Sequence, residues 1–392
     1  MEVTIIRIAH ISDTHLGYSR YARLDPGTNR NQREVDVQRA FERVVDEILS
    51  RDVDLVVHSG DVFDTVRPAT HVIIHFLKQT ARITAGAGIP YLVIAGNHET
   101  PRLRTTSAAL EYANLVNAAS VHGFEQEYHA EEVDGATVGF TMVPHGALAD
   151  VGAVTPERGA DINVLVTHGL VPNLESRQHE MGEANLHAGM LEGRFDYIAL
   201  GHYHEFHRHS DNAHYAGATE RFGFGEIQST PGFAIVEFDE NGLQSVEHVP
   251  VEARPMIDLP KISAHEMDAA QLTEEIRERT ENADLDDAIV RLRAYDVRRG
   301  VASGVDRELI RDLQRRCLSF DLDLRPEERA ESPDEEERPT AAFGLLTEEF
   351  ASFVAERRER GELEKEFAEE FLQKGKAYLT RAASSEPAGE SS

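Results

Sequence analysis

The sequence predicts an α/β layered fold, and three observations support this prediction. First, five runs rich in β-branched residues alternate with helix-like stretches, and they read IIRIAHIS, DLVVHSG, PYLVIAG, NVLVTHG and YIALGH. Second, these runs are almost continuously apolar, which is typical of strands buried on both faces. Third, the segment between the first two runs carries apolar residues at helical spacing, namely Val37, Phe41, Val44, Val45 and Ile48.

Composition narrows the class of protein. Hydrophobic residues make up 41% of the 392 residues, which is enough to form cores and excludes a wholly disordered chain. The single cysteine, Cys317, excludes a disulfide scaffold and a cysteine-rich zinc site. No apolar run approaches the roughly 18 residues that span a bilayer, and the N-terminus does not have the pattern of a signal peptide. We therefore expect a cytoplasmic protein with no membrane partner.

The charge balance is strongly acidic. The net charge is −30, and most of the 40 basic residues are arginines. This balance indicates a halophilic protein that works at salt concentrations where a Debye length of about 3 Å screens self-repulsion. An acidic protein from an ordinary environment is the alternative. In either case, the charge argues against a polyanionic substrate unless the site itself overcomes the repulsion.

The pattern of residues divides the chain into five parts. Residues 1–250 carry the alternating strands and helices. Residues 255–326 follow the order strand, helix, strand, helix, strand, and predict a small α+β domain. Residues 327–340 are charge-dense and predict a flexible linker. Two amphipathic helices follow within 341–382, where they can fold back or bind a partner, and the small polar residues 383–392 predict a disordered tail.

Metal-capable side chains follow each of the five apolar runs. In an α/β sheet, ligands gather at the carboxyl ends of the strands, so the five loops are expected to meet in one place. A lone histidine after a strand is more often structural, but five such motifs in order are hard to explain by core packing. The side chains concerned are Asp13, His15, Asp61, Asn97, His98, His168, His202 and His204.

The types of side chain indicate which ions would bind. Carboxylate, amide oxygen and imidazole without thiolate suit Mn²⁺, with Mg²⁺, Fe²⁺ and Zn²⁺ as alternatives. Seven of these eight side chains exceed the needs of one ion, but they serve two Mn²⁺ per chain if one carboxylate is shared. Two ions about 3.5–4 Å apart can clamp a phosphate and activate water for in-line displacement. The residues therefore predict hydrolysis of phosphoesters at two metals.

The motifs DTHLG, GDVFD, GNHE, THG and GHYH resemble those of the calcineurin-like metallophosphoesterase superfamily. DTHLG together with YAGATERFGFGE at 215–226 more narrowly resembles the SbcD-type nucleases of double-strand break repair, called meiotic recombination eleven in archaea and eukaryotes. The resemblance implies a four-layer metallophosphoesterase β-sandwich flanked by helices at 1–250. It also implies a DNA-binding capping domain at 255–326 and a helical tail at 341–382 that binds an ATPase.

The same resemblance implies roles for the site residues. The ligands of the first metal would be Asp13, His15, Asp61 and His204. The ligands of the second metal would be Asp61, as the bridge, with Asn97, His168 and His202. His98 would stay off the metals and act as general acid or stabilise the leaving oxygen, because imidazole is suited to proton transfer near neutral pH. Asp64 stands where some relatives have a histidine, and it either orients His98 or has no catalytic part.

Other basic residues and histidines have less specific patterns. Arginines that follow the first and third motifs are candidates for binding DNA, with solvated loop arginines as the alternative, and they are Arg20, Arg23, Arg30, Arg33, Arg102 and Arg104. His10 and His58 lie within predicted strands, where core packing is expected. His71 and His75 are expected on a helix surface, and His145 could approach the site.

The leading hypothesis is a manganese-dependent DNA exonuclease and endonuclease that works with an SbcC-type coiled-coil ATPase, which would control the access of DNA ends. The resemblance implies 3′ to 5′ polarity and a homodimer formed through the phosphoesterase domain, for which the helices near 35–49 and 107–116 could supply a face. One alternative is another calcineurin-like phosphoesterase that acts on nucleotides or phosphoproteins. The other is a mainly scaffolding subunit with a structural metal site.

Overall fold

The computed structural model describes residues 5–100, 108–172, 174, 185–192 and 194–326, and residues 350–351, 354–355, 357–358 and 371–376 nearer the C-terminus. The chain divides into two compact units, one ending at Glu327 and the other beginning at Glu328. The predicted linker at 327–340, the tail at 383–392 and most of the segment 341–382 lie outside the described residues. Among the described residues, no helix has the length and apolar character needed to cross a membrane.

The described part of the first unit contains strands and helices in alternation. In chain order, strands β1 to β16 are Ile6–Ile11, Leu55–His58, Tyr91–Ile94, Ser120–His122, Glu127–Val133, Ala136–Val143, Ile162–His168, Tyr197–Gly201, His207–Arg208, Ala213–Tyr215, Gly232–Asp239, Gly242–Pro250, Met256–Asp258, Ile262–Ser263, Ile289–Val297 and Ser319–Pro326. Helices α1 to α7 are Gln32–Ser50, Thr70–Ala81, Glu111–Leu115, Ala188–Leu191, Ala269–Glu281, Arg299–Ser303 and Arg307–Arg316.

Two six-stranded sheets form the larger part of the first unit. The first sheet has the order β12-β11-β1-β2-β3-β4, and the second has the order β5-β6-β7-β8-β10-β9. In the first sheet β1 to β4 run parallel, and β11 pairs antiparallel with β1. In the second sheet β6, β7, β8 and β10 run parallel. The parallel strands therefore direct their carboxyl ends, and the loops that follow them, to one edge of each sheet.

The two sheets pack face to face, and helices cover their outer faces. The inner layer joins residues of the first sheet such as Ile8 and Val57 to residues of the second such as Phe140 and Val166. The outer face of the first sheet packs against Phe41 and neighbouring apolar residues of α1 and α2. The outer face of the second sheet packs against α4 and its surroundings. Both faces of the central strands are buried, which explains their continuous apolar runs and confirms the predicted fold class.

Helix α1 forms because its sequence supplies a cap for its first turn and apolar residues for the face that packs on the sheet. The Asn31 side chain accepts hydrogen bonds from the backbone N–H groups of Arg33 and Glu34 at the helix start. Apolar residues from Val35 to Ile48 are buried against the first sheet. Burial of each such side chain contributes about 1.5–3 kcal/mol. The helix therefore commits its apolar face to the core of its own chain.

A smaller third sheet follows in the chain and has its own apolar cluster. Strand β15 pairs in parallel with β13 and β14 at successive positions, and also with β16. Its cluster includes Leu272, Ile276, Leu292 and Phe320. The predicted order of elements is correct except that two short elements are added, the two-residue strand β14 and the five-residue helix α6. The sheet belongs to the same compact unit as the larger sheets, so the independence of 255–326 as a domain stays a prediction.

Within the second unit, the described residues are helical at 350–351, 354–355, 357–358 and 371–376. The rings of Phe350 and Phe371 lie 5.4 Å apart between their centroids. The sequence predicts both rings on the apolar faces of two short helices.

Candidate metal centre

The candidate site forms where five loops leave the carboxyl ends of β1, β2, β3, β7 and β8. Backbone strain is concentrated here, because four non-glycine residues have positive φ angles: Asp13 at 51°, His15 at 42°, Asp61 at 56° and His202 at 94°. The loops also approach closely, since a Cβ on Gly96 would collide with the Asp61 carboxylate and backbone. Glycine before the ligand residues is therefore required by the close packing of the loops.

One group of side chains joins the first and fifth loops. Potential ligand atoms of Asp13, His15 and His204 all lie within 4.8 Å of one another, and all three residues are buried. The Nε2 atoms of His15 and His204 are 3.1 Å apart, and His204 Nε2 is 3.9 Å from Asp13 Oδ1. Two imidazoles that bind one ion at about 2.0–2.1 Å place their nitrogens about 3 Å apart. The spacing fits two neighbouring ligands of a divalent cation.

A second group joins the second, third, fourth and fifth loops. Asp61, His168 and His202 are buried and likewise lie within ligand distance of one another. The side-chain oxygen of Asn97 lies 3.0 Å from His168 Nε2 and 3.0 Å from His202 Nδ1. Carboxylate, amide oxygen and two imidazoles therefore surround a second position that fits a divalent cation.

Asp61 lies between the two groups. Its Oδ1 accepts a hydrogen bond from the His98 backbone N–H at 3.0 Å. Its Oδ2 is buried and has no hydrogen-bond partner among the described residues. That oxygen lies 3.3 Å from His168 Nε2 and 3.8 Å from His15 Nε2, so it faces one histidine of each group. A buried carboxylate oxygen in this position is suited to bridge two cations.

The charges of the site are strongly coupled. Burial raises the pKa of Asp61. The nearby His168, His15 and His98 together lower it by more, so that the pKa lies well below its usual range. Burial lowers the pKa of His168, but the carboxylates of Asp61 and Asp13 and the hydrogen bond to the Ser59 carbonyl together outweigh burial and raise it to about 9. Burial raises the pKa of Asp13. A cation at His168 would have to displace its proton, so metal binding should release protons and strengthen with pH.

Glu99, the last residue of the GNHE motif, holds the second and third loops together. Glu99 is almost fully buried, and its carboxylate accepts backbone N–H groups of Asp61 at 3.1 Å, Phe63 at 2.5 Å and Gly96 at 2.9 Å. Burial and the charge of Asp61 raise the pKa of Glu99 to about 8. Residue spacing does not predict this role, although the place of Glu99 at the end of the GNHE motif is a usable signal.

His98 lies beside the first group rather than within it. Its ring is 4.6 Å from the ring of His15, and its Nδ1 donates to the backbone carbonyl of Asp64 at 2.7 Å. The Asp64 carboxylate instead lies 3.8 Å from His15 Nδ1. His98, His15 and Asp64 also lie within ligand distance of one another, which the sequence does not predict. The main chain at Asp64 orients His98, whatever the side chain at that position.

The candidate arginines have different surroundings. Arg33 is wrong as a DNA contact, because its side chain is 1% exposed and pairs with Asp36 at 3.1 Å and Glu220 at 3.4 Å. Arg30 pairs with Glu34 at 3.1 Å. The other two candidates that the structure describes, Arg20 and Arg23, are exposed. Arg20 lies over the ring of Tyr21, and Arg23 donates to the backbone carbonyls of Arg315 and Cys317. Arg102 and Arg104 lie outside the described residues.

The histidines predicted to be structural occupy ordinary positions. His71 is exposed on α2 and pairs with Glu34, and His75 lies partly buried on the same helix. His10 and His58 are fully buried within their strands. His145 approaches the second group, with its ring 6.2 Å from the ring of His168. The structure thus brings together all eight residues predicted at the strand ends, and their individual roles stay predictions.

Known proteins resemble the chain across these motifs. The calcineurin-like phosphoesterase family model matches residues 6–206, a range that includes all five loops. A protein of Methanopyrus kandleri named DNA double-strand break repair protein Mre11 is 28% identical over 88% of this chain and 76% of its own length. Proteins of the same name from Haloferax volcanii and Thermoplasma acidophilum are 31% and 30% identical.

The extent of these matches fixes the family. The Haloferax volcanii alignment covers 72% of this chain and 60% of that relative, and the Thermoplasma acidophilum alignment covers 69% and 70%. The two histidine and carboxylate groups described above lie within the matched region. The chain therefore belongs to the calcineurin-like phosphoesterase family and, within it, to the Mre11 family of DNA double-strand break repair proteins.

Proposed function

We propose that this chain is a DNA nuclease of double-strand break repair that hydrolyses phosphodiester bonds with two Mn²⁺ ions. The observation that carries the proposal is the buried Asp61 oxygen between the two groups of ligands, 3.3 Å from His168 and 3.8 Å from His15. When bound, two such ions supply a nucleophile at neutral pH and neutralise the charge of the phosphate. The ligands are those that the sequence predicts for each metal.

The protein's own groups then position the substrate and move a proton. Asp61 fixes the spacing of the two sites, and its Oδ1 holds the backbone of His98. His98 Nδ1 donates to the Asp64 carbonyl, which directs the opposite ring nitrogen away from that carbonyl. From Nε2, a protonated His98 can give its proton to the leaving oxygen. A positioned general acid of this kind contributes about 10²- to 10⁴-fold to the rate.

An acidic chain must bind DNA mainly through its metals and its partner. Phosphate contacts weaken steeply as salt rises, so a protein adapted to high salt gains little from surface arginines. Exposed Arg20 supports a local contact with the DNA backbone near the first loop. We assign DNA ends as the substrate, 3′ to 5′ polarity to the exonuclease, and an endonuclease activity at the same site.

A direct assay tests this function against the alternative phosphoesterase. The purified chain is incubated at high salt with Mn²⁺ and either end-labelled duplex DNA or small phosphomonoesters. We expect cleavage of the DNA, with products that reveal the polarity. Hydrolysis of the small esters alone would contradict the nuclease and favour an enzyme acting on nucleotides or phosphoproteins. Mg²⁺, Fe²⁺ and Zn²⁺, each added to chelator-treated protein, test the preference for Mn²⁺.

Exposed apolar residues on α2 and α3 support a homodimer. Ile74, Tyr112, Leu115 and Val116 are 46%, 54%, 78% and 59% exposed. Tyr112 and Leu115 line a cavity of about 470 Å³ that Ile73 of α2 also lines. The other expected face, near 35–49, has its apolar side in the core. Leu115→Glu should convert a dimer to a monomer in light scattering, whereas Leu24→Glu, at another exposed leucine, should leave the mass unchanged.

The C-terminal segment 341–382 is proposed to bind an SbcC-type coiled-coil ATPase. Phe371 is 40% exposed although it packs near Phe350, and an exposed ring of this kind is suited to a partner's groove. Deletion of 341–382 should abolish co-purification with the ATPase and spare basal nuclease activity. Intact association would contradict the assignment. We place this complex in the cytoplasm of a halophilic cell.

A mainly scaffolding role is tested separately. In cells, His98→Ala should abolish cleavage and impair break repair if the nuclease is the purpose of the site. Unchanged repair with lost cleavage would favour the scaffold.

A further inference from the structure

The loop between β10 and β11 contains two buried carboxylates with different partners. Glu220 and Glu226 are each 2% exposed. Glu220 accepts the backbone N–H of Arg254 at 3.0 Å and lies 3.4 Å from the Arg33 guanidinium. Glu226 instead lies 2.7 Å from Nδ1 of His204. One carboxylate is therefore part of an ion-pair network, and the other faces a metal-ligand candidate.

The contact between Glu226 and His204 fixes the imidazole. Both side chains are 3% exposed, so no solvent competes for the hydrogen bond. With its Nδ1 proton donated to Glu226, His204 directs the lone pair of Nε2 towards the first group, where His15 Nε2 is 3.1 Å away. A carboxylate behind a ligating histidine sets its tautomer and orientation and raises its basicity.

Glu226 also holds the residue that packs on both histidines of the first group. Its second oxygen accepts the backbone N–H of Phe222 at 2.6 Å. The Phe222 ring has its centroid 4.8 Å from that of His15 and 5.3 Å from that of His204. A single carboxylate thus orients one histidine by a hydrogen bond and supports the aromatic wall behind two.

The same loop packs against the small sheet. The guanidinium carbon of Arg291, in β15, lies 4.2 Å from the centroid of the Phe224 ring. Phe224 also packs against a cluster formed by Met256 and Ile289 of the small sheet and by Leu318, which directly precedes β16. The loop therefore extends from the small sheet to the first group of ligands.

The second group is held differently. His168 Nδ1 donates to the backbone carbonyl of Ser59 at 2.7 Å, a group that follows β2 in the larger sheet. This hydrogen bond involves neither the loop nor the small sheet. A change in the loop should therefore act on one metal site and spare the other.

We propose that Glu226 is the positioning residue of the first metal site, and that Phe224 makes its hold on His204 depend on the seating of the small sheet. The inference rests on the proposed function, in that Asp13, His15 and His204 bind a divalent cation. It deepens that function by making the two sites unequal.

Calorimetric titration of the full chain with MnCl₂ alone tests the proposal. Wild type should bind two ions. Glu226→Ala should weaken one site by about 10- to 100-fold and leave the other within about twofold. Glu226→Gln should recover part of the loss, because its amide oxygen can still accept the Nδ1 proton without supplying charge.

Glu220→Gln is the matched control, because Glu220 is equally buried in the same loop. It should lower the unfolding temperature and leave both Mn²⁺ affinities unchanged. Selective loss in Glu226 variants with recovery in glutamine separates positioning from general destabilisation. Equal weakening of both sites in every variant would overturn the positioning role.

Phe224→Ala tests the link to the small sheet. It should weaken the same single site by about 3- to 10-fold, since the loop loses its anchor while Glu226 is retained. Unchanged affinity in this variant would overturn the link and leave the role of Glu226 standing. If wild type binds fewer than two ions, the proposed function itself fails. If it binds two and Glu226→Ala changes neither, only the positioning role is wrong.

Discussion

Two sets of buried histidines lie close together in this molecule and differ in their neighbours. His10 and His58, inside β1 and β2, bond to neutral hydroxyl groups: His10 to Tyr197 at 3.0 Å and Ser59 at 2.9 Å, and His58 to Thr14 at 3.2 Å. His15 and His168, at or beyond the strand ends, face the Asp61 carboxylate. Residue type and burial are the same, but among the described residues only the second set lies within 4 Å of a carboxylate oxygen.

The difference in neighbours reverses the effect of burial on charge. Burial lowers the pKa of His10 and of His58 to about 3, so both are neutral at physiological pH. In His168 burial acts in the same direction, but the carboxylates of Asp61 and Asp13 and the hydrogen bond to the Ser59 carbonyl together outweigh it and raise the pKa to about 9. A buried histidine inside a strand is therefore a core residue, and a buried histidine beside a carboxylate at the strand end is a candidate ligand.

The largest expected effect separates the two sets at Asp61. Asp61→Asn removes the charge shared by both groups, so DNA cleavage should fall by at least about 10³-fold, equivalent to about 4 kcal/mol. Calorimetry should also show loss of two-site Mn²⁺ binding. Asp54→Asn, at the other end of β2, is the control and should retain cleavage. Full two-site Mn²⁺ binding in Asp61→Asn would contradict the assignment of Asp61 as the ligand that both groups share.

His98 is expected to affect the rate without affecting metal binding. His98→Gln removes the proton donor, so single-turnover cleavage should fall by about 10²- to 10³-fold while both Mn²⁺ affinities stay within about twofold. His71→Gln, on the exposed face of α2, should change neither quantity. Retained cleavage in His98→Gln would remove His98 from the catalytic assignment.

Substitution of a core histidine should change the pH dependence of stability rather than the activity. The unfolded His10 has a pKa near 6.5 and the folded one about 3, so the unfolded state binds more protons between these values. Stability is therefore present above about pH 6.5 and lost as pH falls towards 3, by a few kcal/mol for this histidine. His10→Gln should flatten that dependence in urea unfolding and leave Mn²⁺ binding unchanged. An unaltered slope would contradict the neutral core assignment.

His145 shares features of both sets, and its substitution is expected to have the smallest effect on Mn²⁺ binding. Burial lowers its pKa to about 4, so it is neutral, and its ring lies 6.2 Å from that of His168. His145→Gln should weaken Mn²⁺ binding at the second site by about tenfold, at the lower end of the range for residues behind a ligand. A loss of Mn²⁺ affinity as large as that of Asp61→Asn would show that His145 is a ligand and belongs to the second set.

The strand-end residues could be predicted because their positions depend on local pattern. Apolar runs identify the buried parallel strands, and the topology of an α/β sheet brings the residues that follow them to one edge. Sheet topology thus places Asp13, Asp61 and His168 near one another without any knowledge of side-chain contacts. It also separates them correctly from His10 and His58.

The parts that the sequence does not predict depend on distant partners. Arg33 has the pattern of a loop arginine, but Asp36, Glu220 and Arg254 enclose it in a network whose members lie far apart in the chain. Glu226 finds His204 only because the loop after β10 folds back onto the fifth motif. Such contacts arise from tertiary packing, which residue spacing does not encode.

Anomalous scattering from a manganese-soaked crystal tests directly whether Asp61 is shared by two ions, because it locates each ion without relying on activity. We expect two peaks about 3.5–4 Å apart on either side of Asp61 Oδ2, one near His15 and His204 and one near His168 and His202. A single peak, or two peaks that do not share Asp61, would contradict this expectation.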